Sequence, residues 1–137
     1  MWIDYLEDVR SLNAIYGDHI PSLKNVLLHE IKIVTGIDIQ CYVRFDLATI
    51  PLVFPRKWAS EKVNAVQIDM CLMSSQIDSF KAEGGEMLGD IQIELEGNSK
   101  SVVFVADGKV IFKIRSKWIS VRSITGYLKD GPDVNRT

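Results

Sequence analysis

Apolar residues fall at every second position through Ile37, Ile39, Cys41, Val43, Phe45 and Leu47, with Asp38, Gln40, Tyr42, Arg44 and Asp46 between them. Successive side chains of a strand point to opposite faces, so this register gives one apolar and one wet face. A helix would scatter the same residues around its circumference. The run from Lys24 to Thr35-Gly36 is also strand-like, so Lys24–Leu47 reads as a β-hairpin about a Thr-Gly turn. The same alternation recurs in Lys62–Met73, through Val66, Ile68, Met70 and Leu72, more weakly near Ile77–Lys81, and again in Asp90–Glu96. Gly97-Asn98 turns the chain into Ser101–Ala106. Asp107-Gly108, both tolerant of positive φ, turns it into Lys109–Arg115, and Trp118–Tyr127 supplies a last, less regular strand.

Other periods mark the remaining segments. Leu6, Val9, Leu12 and Tyr16 approximate a helical stripe with acidic residues early, Gly17 at the C-cap and Pro21 beyond it, so residues 1–17 form an N-terminal helical segment. Ile50–Trp58 contains Pro51 and Pro55, which remove ladder donors. It reads as an extended connection wrapping an open edge or end of the core. The glycines of Ala82–Gly89 read as a loop, and residues 128–137 as a polar tail. The expectation is one domain over residues 1–137, mainly β: an antiparallel sandwich or barrel-like sheet of about seven to eight strands, with the β core at 23–127 and a short N-terminal helix.

Composition narrows the chemistry. An apolar fraction of 47% with 25% charged residues is that of an ordinary soluble domain, and 137 residues suffice for a core without staples. Two cysteines, Cys41 and Cys71, are too few for a disulfide framework. With no basic n-region leading into an apolar stretch and no long apolar run, a cytoplasmic protein without a membrane span is expected. A net charge of −2 argues against a nucleic-acid binder, which needs a concentrated basic surface.

Catalytic and metal motifs are absent. His19 and His29, the only histidines, lack a nucleophile elbow or HExxH context and read as surface or satisfied polar residues. His29 and Glu30, adjacent in a strand, should face opposite ways. Neither CxxC nor a phosphate-binding glycine loop occurs, so no catalytic residue, metal or cofactor is expected. Cys41 belongs to an apolar face, whereas Cys71 falls on the opposite register, exposed or covered by the helix or the proline-rich segment. The carboxylates of Asp38, Asp46, Asp69, Glu94 and Glu96 alternate with apolar residues and should face solvent. Joined with Tyr42, they would make an acidic protein-binding face steering a basic partner. Trp58, Trp118 and Tyr127 serve either as core plugs or as interface anchors.

Trp2, Ile15-Tyr16-Gly17, Pro21-Ser22-Leu23, Pro55-Arg56-Lys57-Trp58, the strand Asn64–Leu72 (NAVQIDMCL) and Gly126-Tyr127 occur in that order over nearly the whole chain. In order and spacing they resemble the immunity protein 50 family of bacterial polymorphic toxin systems. The resemblance implies a non-enzymatic protein that binds and neutralises a cognate toxin domain, without a cofactor. A different expectation from the long apolar faces is a β domain that binds a small apolar ligand between its sheets. Open sheet edges would also permit a homodimer by edge pairing, though nothing in the sequence calls for one.

Overall fold

The computed structural model describes residues 1–58 and 62–129; most of the polar tail, 130–137, lies outside them. Six antiparallel strands close into a barrel in the order β1-β2-β3-β6-β5-β4. They are β1 (Val26–Val34), β2 (Ile39–Asp46), β3 (Ala65–Phe80), β4 (Met87–Glu96), β5 (Ser99–Ala106) and β6 (Lys109–Tyr127). The mainly β expectation holds, with fewer and longer strands. The segments predicted separately at 62–73 and 77–81 are one strand, as are 109–115 and 118–127. Neither junction carries a proline or glycine to break the ladder. β3 and β6 pair from Ala65↔Tyr127 to Phe80↔Phe112, bending at register shifts instead of turning.

Five register shifts around the barrel each insert one extra residue, and one of them sets Met73 and Ser74 of β3 against the single Gln40 of β2. His29 is extra in β1 against β2, Arg122 in β6 and Asp78 in β3 where those two strands pair, and Ile111 in β6 against β5. A bulge bends its strand and re-aims a side chain. Here the bulges place His29 with Glu30, Arg122 with Ser123, and Asp78 with Ser79 on the outside in succession. Ile111 and Phe112 are both buried.

Inward residues fill the barrel axis: Val43, Phe45, Ile68, Met70, Leu72, Phe104, Phe112, Ile114 and Ile119 are buried. Phe104 and Phe112 stack with centroids 5.7 Å apart. The space in which a ligand between the sheets was expected is therefore occupied by side chains. Cys41 is one of them, as expected.

The seam between β1 and β4 is short, running only from Val26↔Gly89 to Leu28↔Met87. The N-terminal segment covers strand edges that the barrel leaves open. It consists of a 3₁₀ turn (Trp2–Tyr5) and α1 (Arg10–Tyr16) in place of one continuous helix. Leu6 forms a parallel bridge with Ile119, and the Glu7 N–H donates to the Ile119 carbonyl, extending the sheet beyond β5. The Ile91 N–H donates to the Leu23 carbonyl, and the Trp2 indole donates to the Pro21 carbonyl at 2.8 Å. Leu12 and Tyr16 supply the buried face of α1, and Gly17 caps it at φ 59°. The proline-rich connection ends in a 3₁₀ turn, Arg56–Trp58, and drops Trp58 onto β6 at Gly126. Trp58 is thus the core plug, edge-on to Phe54.

Candidate protein-binding face

Strand pairing aligns the outward residues of β1, β2, β3 and β6 in rows. Val34 stands beside Gln40, and Met73 beside Trp118. Lys32, Tyr42, Cys71 and Ser120 form the next row, Glu30, Arg44, Asp69 and Ser123 the one after, and Asp46 with Gln67 and Thr125 the last. The sheet face so built carries Trp118, 44% exposed, together with half-buried Tyr42 and Met73 and the guanidinium groups of Arg44 and Arg122. Tryptophan, tyrosine, methionine and arginine are the residues enriched where proteins bind one another.

Tyr42 is fixed from three sides. Its hydroxyl donates to Gln40 Oε1 at 2.9 Å, Arg122 lies over the ring 4.7 Å from its centroid, and Lys32 Nζ stands 5.8 Å away. The bulge brings Arg122 to this position and also within 3.7 Å of Asp69. A ring clamped between cations offers a rigid contact surface that loses little entropy on binding. Cys71 is buried on this outer face with Tyr42 and Arg122 beside it, not under the helix or the proline-rich segment. Burial raises its thiol pKa, so it is a poor nucleophile.

The expectation for Asp46 is overturned. Its position in the alternation is outward, yet it is only 4% exposed, because neighbours cover it. The Tyr127 hydroxyl donates to Oδ2, His29 Nε2 lies 2.9 Å from the same oxygen, Gln67 Nε2 donates to Oδ1 at 3.4 Å, and Lys129 Nζ is 3.6 Å away. Burial alone would raise the pKa of this carboxyl. The hydrogen bonds from Tyr127 and His29 outweigh it and hold the group below the ordinary aspartate value. Tyr127 responds oppositely: burial and the adjacent carboxylate push its phenol up to about 12. His29 is thus a satisfied polar residue, as read from sequence. Its expected opposition to Glu30 fails, since the bulge turns both outward, His29 to Asp46 and Glu30 to within 3.8 Å of Arg44.

The six polar residues proposed for one acidic face do not share one. Tyr42, Asp46 and Asp69 lie on the β1–β2–β3–β6 face, where Asp46 and Asp69 sit beside cations. Asp38 lies in the β1–β2 turn. Glu94 and Glu96 lie on β4, which β1 separates from β2, and Glu96 pairs with Lys113 at 3.2 Å. The face with the aromatics is mixed in charge. Trp118 and Tyr127 join it, whereas Trp58 is inside.

No group of three metal-binding side chains occurs among the described residues, and no helix there is long and apolar enough to cross a membrane. The immunity protein 50 family model matches residues 9–127, which takes in α1 and all six strands. Curated proteins and solved structures gave no match.

Proposed function

The chain belongs to the immunity protein 50 family, and from that membership we propose that it protects a toxin-producing bacterium by binding a cognate toxin domain through the β1–β2–β3–β6 face. The toxin is then occluded without any chemistry on this protein's part, in the cytoplasm of the cell that makes both. The supporting observation is the outer face that carries exposed Trp118 and half-buried Met73 one row from Tyr42, itself flanked by Arg122 and Lys32. Anchors of these types on a rigid sheet suit a tight complex, and the flanking ion pairs suit a rim that selects orientation more than it adds affinity.

The test is co-expression with the toxin domain encoded beside this protein, in a host that the toxin kills. The wild type rescues growth and co-purifies with the toxin as a stoichiometric complex. Trp118→Ala and Tyr42→Ala each weaken the complex by about 2 kcal/mol or more, roughly thirtyfold, as for central interface anchors. Glu94→Lys with Glu96→Lys, on the far strand, leaves affinity nearly unchanged. Full affinity in the Trp118→Ala/Tyr42→Ala double variant would remove this face as the site.

A further inference from the structure

We propose that the toxin domain docks by adding an extended segment of its own to the free edge of β1, beside residues Glu30–Val34. This deepens the immunity reading and rests on it. β1 pairs with β2 along one edge to Val34, but with β4 along the other only as far as Leu28. Leu28 faces Met87, the first residue of β4, so beyond the bulge at His29 no β4 residue is left to pair with β1. No strand pairing or other backbone hydrogen bond among the described residues occupies that edge at Glu30–Val34. An open strand edge presents a row of unpaired N–H and C=O groups, which another strand satisfies best.

The edge discriminates among occupants. A second copy related by a twofold axis would lie antiparallel to β1. Centred on this five-residue edge, it would set Lys32 against Lys32, and like charges directly opposite are unfavourable. Sliding the pairing by two residues, to set Glu30 against Lys32, would bring Val34 opposite Leu28, where Met87 of β4 already stands. Self-pairing is therefore opposed by charge in one register and by β4 in the next, and the opposite shift sets Ile31 and Glu30 against Thr35 and Gly36, past the end of the strand. A foreign antiparallel segment meets neither obstacle if it reads apolar, acidic, apolar, basic. Its acid then meets Lys32 and its base meets Glu30 on the outer face. Its apolar side chains follow Ile33 and Ile31 towards a cleft of about 150 Å³, lined in part by Leu28, Ile31, Phe80, Met87 and Ile111. The added strand would also continue the sheet whose outer face carries Tyr42, since Lys32 belongs to both.

Amide hydrogen exchange on the full chain, free and bound to the co-expressed toxin domain, tests this. The amides of Glu30–Val34 that do not bond to β2 should slow at least tenfold in the complex. Lys32→Glu should weaken binding about two- to fivefold, the usual worth of one cross-strand charge pair, and reversing the opposing acid in the toxin should restore it. A stoichiometric complex with unchanged exchange at Glu30–Val34 would overturn strand addition and leave the immunity reading standing. Slowing without toxin, accompanied by a dimer in sedimentation, would overturn it in favour of self-pairing. Failure to form any complex with an active toxin would sink both.

Discussion

Asp46 shows how one side chain acquires a structural task from its neighbours. Burial of a carboxylate is costly, and here the Tyr127 hydroxyl, His29 and Gln67 compensate. Asp46→Ala would leave buried donors without an acceptor and should cost about 1–3 kcal/mol in urea unfolding at neutral pH. The folded-state pKa lies below the 3.8 of an unperturbed aspartate, so the contribution is fully present above that value and fades as pH falls through the lower folded value. The stability gap between wild type and Asp46→Asn should therefore be constant from neutrality to about pH 5 and shrink below about pH 4. A gap that persists unchanged at pH 3 would mean that the carboxylate charge is not what the network uses. Alternation along β2 correctly puts Asp46 on the outer face. It carries no information that Tyr127, contributed by the far end of the chain, folds over it.

At the scale of elements, strand identity was written in the period-two pattern and strand length was not. Turn residues at Thr35-Gly36, Gly97-Asn98 and Asp107-Gly108 fall where the hairpins turn, and Gly97, Asp107 and Gly108 adopt the positive φ expected of such turns. The pattern misled where it broke. Three of the breaks are doublets of polar residues in an otherwise alternating run, His29-Glu30, Asp78-Ser79 and Arg122-Ser123, and each marks a bulge within a continuous strand. Ile111-Phe112 is the apolar counterpart. Read as a bulge, Arg122-Ser123 puts Arg122 within reach of Tyr42, whereas the gaps between the predicted short strands fall at the β2–β3 register shift, where Ser74 takes φ 50° and the ladder to β6 continues. The proline-rich connection makes its contact through Trp58, whose ring lies where a Gly126 side chain would begin: a Cβ there would stand 2.7–2.9 Å from three indole carbons. Gly126→Ala should cost about 1–3 kcal/mol in denaturant unfolding by displacing the ring. Trp58→Ala should cost about 3–5 kcal/mol. In the double variant the alanine penalty should vanish, because the clash has no partner; simple additivity would mean that the ring is not the obstacle.

The whole molecule is unevenly held. β3 and β6 form a long ribbon, whereas three residue pairs between β1 and β4 complete the ring. Native-state exchange should find the amides of Val26–Leu28 and Met87–Gly89 opening at lower free energy than those at the centre of the ribbon, such as Ile68 and Leu72. Uniform protection around the ring would contradict that. The order of strands around the barrel had no sequence signature, because pairing β1 with β4 depends on residues some sixty positions apart. The binding face was only half legible for the same reason: the chain names Tyr42, Asp69 and Trp118 but does not say that four strands lay them side by side. Their arrangement has a spectroscopic consequence. Trp58 is sealed against Gly126 while Trp118 stands in solvent, so the protein carries an internal optical contrast. Iodide should quench the red-shifted emission of Trp118 most and the blue emission of Trp58 least, with half-buried Trp2 between them, and Trp118→Phe should remove the largest share of the quenching. A partner seated on the β1–β2–β3–β6 face would shield Trp118, so that in a Trp2→Phe background its arrival can be followed in real time without attaching a dye.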